Sequence, residues 1–466
     1  MTKNSHLGAI MLVMICMANL SQGQVEVTGI FQDALNNQPI AYAHIINTRL
    51  GQGVITNEDG LFKMKVEEED SLTISCVGYK KTTLACDYFK TQDVFLLQQS
   101  INELATVEIY SDYEFLIDLL LEAKKKLSKS RGMESKAYFI LESNNKGRPV
   151  ELIECYYNST TTGHGIQDLK IKNGRIGMSP VDSSYFVSLS STKIISDYDI
   201  LSSVNNKFPH NPLHLSKKQI LKNYDFSLLQ ASGENFQIGF EPKDDSDNYF
   251  KCELWIDKTN ARLIDLELFA SNLKRHPIVT IAENHQMDSL DFKLTYRFSD
   301  SGEEQVVDQI EFTYGFKYQD ELGQKVMHSH GLFIFYAPDE LFHLPYFDLS
   351  YGPSTDYDYI VSQPHNPNFW RFNELISPSE RHKAYQEYFE NNGVLLNFDP
   401  LKARHERLFT ERMRDWSVDR IHLEDIRHLP LLNQRKDSRS IYRNFHAKTT
   451  ISERYDLVTQ IYLDYN

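Results

Sequence analysis

Short runs in which apolar and polar residues alternate, each closed by turn residues, constrain this chain more than any other feature. Val25, Val27 and Gly29 alternate with polar neighbours, as do Phe62, Met64 and Val66, and then Leu72, Ile74 and Cys76. A period of two puts every second side chain on one face, so each run predicts a half-buried strand. Asn57-Glu58-Asp59-Gly60 lies between two such runs and predicts a hairpin, with Gly60 at the φ > 0 position. A calcium loop would also use Asn and Asp near a Gly, but it needs a bidentate Glu and flanking helices that this stretch lacks. Gly78-Tyr79 reads as a turn glycine followed by an aromatic lid.

Taken in order, Val25–Phe31, Gln38–Ala43, Gly53–Phe62 and Asp70–Tyr79 resemble a carboxypeptidase-like regulatory domain. The resemblance implies a small seven-stranded, transthyretin-like β-sandwich over residues 24–97. Such a module is an accessory to other domains and carries no peptidase groups itself. Its expected core is Val27, Ala43, Phe62, Val66, Leu72 and Ile74.

The flanking sequence bears on compartment. Lys3, an apolar stretch from Leu7 to Leu20, and small residues at Ser21 and Gly23 predict a signal peptide over residues 1–23, cut after Gly23. The stretch is too short and interrupted for a membrane span. Val13-Met14-Ile15 before Cys16 lacks the small residue of a lipoprotein signal, so the expectation is secretion across the inner membrane without a lipid anchor. The location expected is the periplasm or the outer-membrane surface. Forty-nine basic against 64 acidic residues argue against phosphate backbones, and hence against nucleic acid, as partners. The spacings of Cys76, Cys86, Cys155 and Cys252 match no zinc pattern. Cys76 and Cys252 fall at inward strand positions, where a small buried thiol suffices, and a Cys76–Cys86 disulfide is the alternative for an oxidising compartment.

Beyond the sandwich, Leu104, Val107 and Ile109 alternate in a linker strand (98–111) that resembles the one following the same module in TonB-dependent transporters. A chain of 466 residues cannot hold the barrel of such a receptor. Asp112 is then expected to cap a helix whose apolar stripe is Phe115, Leu116, Leu119, Leu120, Ala123 and Leu127. Lys124 to Lys126 and Arg131 load its C-terminal end, and Gly132 reads as the stop signal. Such a helix packs on a sheet, with a membrane-surface helix as the alternative reading.

From about 136 to 340 the chain reads as consecutive hairpins, and hence as a meandering antiparallel sheet. Examples are Phe226–Phe240 around Gly233, Phe250–Leu268 around Asp257–Asn260, and Phe292–Phe316 around Asp300–Gly302. The run Cys252 to Thr259, with Trp255-Ile256-Asp257 at its centre, resembles a hairpin of lipoprotein-carrier-like sheets, which form a curved half-barrel over a helix. With Tyr138-Phe139 and Glu151-Leu152-Ile153-Glu154, it also resembles an uncharacterised envelope family that places this sheet after a regulatory-like sandwich. Further on, Ser377-Pro378-Ser379-Glu380 predicts a capping box, Gly393 the end of that helix, and Asp399-Pro400 the start of another. Asn366-Pro367-Asn368-Phe369-Trp370 predicts a turn with an aromatic anchor. The domains expected are thus 24–97, a helix plus sheet over 112–345, and a helical and irregular C-terminal region, 346–466.

The sequence carries few signatures of chemistry. None of the sixteen histidines has Glu three residues later, and no His-Glu-x-x-His, Gly-x-Ser-x-Gly, Walker or dinucleotide loop is present. His328-Ser329-His330-Gly331 would place two imidazoles on one strand face, which is an incomplete metal site, so it reads as a solvated loop or edge strand. His210 and His214 are separated by Pro212, which disfavours a shared helical face. Asp244-Asp245 and Glu303-Glu304 read as solvated turns. Trp416 to Ile426 with Val458 to Tyr465 resembles the entry of a secreted metalloprotease-like domain, which implies a truncated or degenerate piece without zinc ligands; a terminal hairpin is the simpler reading. The expectation is a mainly β, non-enzymatic envelope module with no catalytic, cofactor or metal residues, binding an envelope protein, glycan or lipid. The alternatives are a periplasmic carrier of lipid or lipoprotein, and a degenerate or truncated secreted metalloprotease-like protein.

Overall fold

The computed structural model describes residues 25–76, 78–99, 114–181, 195–202, 208–244, 248–274, 276, 285–299, 304–320, 322–344, 360, 366–396 and 398. The expected signal peptide, the 104–109 strand, the Asp112 cap, the Asp300–Gly302 turn, the helix start at Asp399-Pro400 and the two segments after Trp416 lie outside them. The described chain is mainly β and divides into two units, residues 1–101 with 374–381, and 102–373 with 382–466.

The smaller unit holds seven strands in two sheets. β1 (Val25–Asp33), β4 (Leu61–Val66) and β7 (Val94–Leu97) form one, with β1 central. β2 (His44–Asn47), β3 (Gly53–Ile55), β5 (Ser71–Ser75) and β6 (Thr82–Ala85) form the other. All six expected core residues lie in its buried cluster, joined by Phe31, Phe89 and Phe95. Gly60 has φ +73°, as the turn chemistry requires, but the expected hairpin is not formed. β3 and β4 belong to different sheets, so the turn is a corner between layers. Asn57 Oδ1 accepts the N–H groups of Asp59 and Leu61, which commits that side chain to the turn rather than to an ion. Tyr79 closes the sandwich by donating its hydroxyl to the buried Asp33 at 2.8 Å.

The larger unit is built on one open antiparallel sheet of eleven strands. A meander of β11 (Tyr224–Ser232), β12 (Asn235–Pro242), β13 (Lys251–Asp257), β14 (Arg262–Leu273), β15 (Gln286–Phe298), β16 (Val307–Asp320) and β17 (Gly323–Tyr336) makes up most of it. β17 then pairs with the earliest strand, β8 (Met133–Asn145), which leads through β9 (Arg148–Thr162) and β10 (Gly165–Met178) to the short β18 (Val394–Leu396). His328 to Gly331 therefore sits in a central strand between β16 and β8, not in a loop or at an edge. Local sequence shows that these residues alternate; it cannot show which distant strand completes the pairing.

Helix α1 (Glu114–Leu127) buries Leu116, Ile117, Leu120, Ala123 and Leu127, with Phe115 and Leu119 half-buried beside them. It ends about one turn before Gly132, which lacks the left-handed conformation of a cap; Ser128 and Ser130 close the end with backbone bonds to Lys124 and Leu127. A shorter helix, α2 (Lys217–Asn223), carries the Ser216/Gln219 capping box. Asn366 caps α3 (Pro367–Phe372), so the expected aromatic turn is a helical one, with Phe369 still buried as its anchor. α4 (Glu380–Asn392) begins later than the Ser377 capping box predicts, because the Glu380 N–H finds its acceptor in Asp59 instead.

Candidate functional site

A cluster of ionisable side chains lies on the face of β8, β9 and β10 that points away from α1. On β9, Ile153, Cys155 and Tyr157 belong to the apolar core, so alternation sends Glu154 and Tyr156 to the opposite face. Register then sets Ile140 and Arg175 on either side of Glu154, and Tyr138 beside Tyr156.

Glu154 is the hub. Arg175 binds it through two nitrogens, Nε to Oε2 at 2.6 Å and Nη2 to Oε1 at 2.9 Å, and Tyr138 donates its hydroxyl to Oε1 at 2.6 Å. Bidentate geometry of this kind gives the strongest charge-assisted bonds. From α4, His382 brings Nε2 to 3.4 Å from Glu154 and Nδ1 to 3.7 Å from Glu142. Both carboxylates and the imidazole are 4–5 % exposed. The Arg175 guanidinium is stacked between Trp370, at 4.2 Å, and Phe398, at 4.6 Å. Trp370 is fixed by its indole N–H to Asn173 Oδ1 at 3.0 Å, and Tyr156 donates to the Asn373 carbonyl.

Burial alone would raise the Glu154 pKa, but Arg175 and His382 outweigh it and hold the carboxyl well below the usual range. Burial also opposes charge on His382, yet Glu154 and Glu142 push it up to about 9. The two signs define a window. A depressed Glu154 stabilises fully above its unfolded value of 4.5 and loses this as pH falls through its folded value. A raised His382 stabilises fully below 6.5 and loses this as pH rises through about 9. Hydrogen exchange of Glu380–Asn392 should therefore show constant protection from about pH 5 to 6 and falling protection from there through about pH 9. The His382→Gln variant should lack the alkaline step; an identical step in that variant would remove His382 as its cause.

A second network ties the segments 195–202 and 208–215 together on the core side of the sheet. His164 Nδ1 meets Asp199 Oδ2 at 2.9 Å, and the hydrogen bond to Asp199 raises the imidazole pKa. Asn211 caps the 3-10 turn Pro212–His214 and donates to the Tyr198 hydroxyl and the Ile200 carbonyl. Burial pushes His214 down to about 4. A short 3-10 turn at Pro212, rather than a shared helical face, brings the His210 and His214 rings to 5.7 Å, edge to face. His330 is engaged by Glu311 at 2.9 Å, whereas His328 is exposed. Glu304 accepts the Arg131 N–H at an exposed turn, and Asp244 is likewise exposed. Cys252 is buried in the large core, Cys86 in the sandwich core, and Cys76 packs at its margin.

Glu142, Glu154, Arg175 and His382 do not stand out as candidates in the sequence. One signal was available: β9 reads Val150 to Tyr157 as a buried run interrupted by Glu151 and Glu154, and a carboxylate inside such a run needs a partner.

The family model of the CarboxypepD_reg-like domain matches residues 27–109, so the seven-stranded unit is a sandwich of that type. No curated protein matches the chain. Among solved structures, a LolA superfamily protein of Nitrosomonas europaea is 12% identical, with 49% of this chain and 94% of that one covered and a TM-score of 0.18. An outer membrane lipoprotein-sorting protein domain of Vibrio parahaemolyticus is 13% identical, covering 47% and 90%, at 0.20. The MucA/MucB complex of Pseudomonas aeruginosa contains a chain that is 9% identical, covering 46% and 92%, at 0.17. At TM-scores this low the likenesses carry no argument about this chain.

Proposed function

We propose that the chain is a non-enzymatic binding or scaffolding protein of the cell envelope, in which the sandwich and the large sheet present surfaces rather than a reaction centre. The observation that carries this reading is the state of the Glu154 cluster. Its carboxylates and imidazole lie closed to solvent, its guanidinium is largely covered, and together these groups neutralise one another and join α4 to three strands. A catalytic group needs access to substrate and a protonation state poised near the working pH. This cluster has neither, and its chemistry is that of a fastener. The accessory-type sandwich supports the same reading. Among the described residues no helix is long and apolar enough to cross a membrane.

The carrier reading draws on a different observation. The core side of the sheet is mostly apolar, and residues 195–202 and 208–215 close over it, with Phe208 stacked on Phe292 at 4.6 Å. A carrier would have to lift that segment to admit an acyl chain. One experiment separates the readings: full-length protein, cross-linked in an envelope preparation and then purified, is analysed for adducts and for organic-extractable lipid. Discrete protein or glycan adducts without stoichiometric lipid are expected. One acyl lipid per chain would replace this reading with the carrier, and chelator-sensitive peptide hydrolysis would overturn the non-enzymatic assignment.

A further inference from the structure

Across the centre of the large sheet, on the face opposite its core, five side chains from five neighbouring strands fall into one row. Gln237 of β12 is the register partner of Trp255 of β13, Trp255 of Asp265 of β14, Asp265 of Arg297 of β15, and Arg297 of Gln309 of β16. Alternation puts all five on the same face, since Ile238, Leu254, Leu266, Tyr296 and Ile310 occupy the other. Four inter-strand steps of about 4.8 Å make the row about 19 Å long.

From this arrangement we infer that the row is a glycan-binding site, the ligand being a neutral oligosaccharide laid across the strands. The inference deepens the binding reading above and rests on it. Trp255 and Gln237 are half-buried, leaving an indole beside an amide at one end of the row. An indole face offers a large, rigid apolar platform with one polar edge, which suits the C–H face of a sugar ring. Asp265 and Arg297 follow, with Oδ2 and Nε 3.5 Å apart. Burial pushes the Asp265 carboxyl up to about 7 in spite of Arg297, so it can donate to a hydroxyl as well as accept from one.

Gln309 supplies an independent sign. It is 3 % exposed, and its Nε2 makes no hydrogen bond among the described residues. A buried amide left in this state costs about 1–3 kcal/mol, and a hydroxyl-bearing ligand would relieve it. Carboxylates outnumber the cations beside the row: Glu267 is held by Lys293 at 3.2 Å, while Glu241 and Glu253 share Lys251, at 2.5 and 3.9 Å. An indole and two amides with no surplus of cations around them suit the hydroxyls of a neutral sugar over an anionic partner.

The test uses the full chain on an array of neutral and acidic oligosaccharides, followed by calorimetric titration of whatever binds. Binding of a neutral oligosaccharide is expected. Trp255→Ala should weaken it about tenfold or more, the scale of one lost aromatic contact. Gln237→Ala, at the more accessible end of the row, should weaken it severalfold with an unchanged melting temperature, which guards against a folding artefact in the Trp255 variant. Lys317→Ala, elsewhere on the same face, should leave it unaltered. A blank array, exclusive binding of acidic sugars, or affinity indifferent to both row variants overturns the inference. If the array is blank while envelope cross-linking persists, the glycan assignment fails and the broader binding reading survives.

Discussion

Replacing Arg175 with methionine is expected to cost the larger unit about 3–5 kcal/mol, the range for breaking a buried ion pair from one side. Methionine keeps much of the volume between Trp370 and Phe398, so lost packing is a minor part of the effect. The loss comes from Glu154, which would be left buried with Tyr138 and His382 as its polar neighbours. The double variant Glu154→Gln/Arg175→Met should recover part of that loss, because no uncompensated charge remains. By contrast, Lys293→Met removes a partner from an ion pair about 30–43 % exposed and should cost less than about 1 kcal/mol. Denaturant unfolding, followed by hydrogen exchange in β8–β10, measures all three. A cost below 1 kcal/mol for Arg175→Met would mean that the cluster contributes little to holding the C-terminal helices.

That cluster also marks the limit of what the sequence discloses. Alternation locates strands because it is a local property, and Val27, Phe62, Leu72 and Ile74 occupy the core for that reason. The α1 stripe is legible in the same way, although Ile117 widens it beyond the expected positions. Partnership is not local. Glu154 and Arg175 are 21 residues apart, and His382 comes from a helix far downstream. Gly60 shows the same division on a smaller scale: its left-handed backbone follows from Asn57-Glu58-Asp59-Gly60, but whether the chain then returns to its own sheet or crosses to another depends on strands elsewhere. Likewise the start of α4 moves from Ser377 to Glu380 because an acceptor distant in sequence, Asp59, competes with the local cap. The glycan row shows the converse. Each of its residues lies at a polar position of an alternating strand and is unremarkable alone; only the register of five strands aligns them.

The sandwich should fail independently of the large sheet when its own core is broken. Ile74 lies on β5, fully buried and register-paired with Ile45. Ile74→Asp forfeits about 1.5–3 kcal/mol of side-chain burial and adds an uncompensated carboxylate, whose effective burial penalty is several kcal/mol more. A single core in a domain of this size supplies only about 3–5 kcal/mol, so the variant's sandwich is expected to be unfolded. The large sheet draws on a separate buried cluster that contains neither Ile74 nor any other sandwich residue. Amides of β1, β4 and β5 should therefore exchange at unfolded rates, while those of β12 to β16 keep their protection. Equal loss of protection in both sets would show that the two cores unfold as one cooperative unit, and a domain boundary between the sandwich and α1 would have to be abandoned.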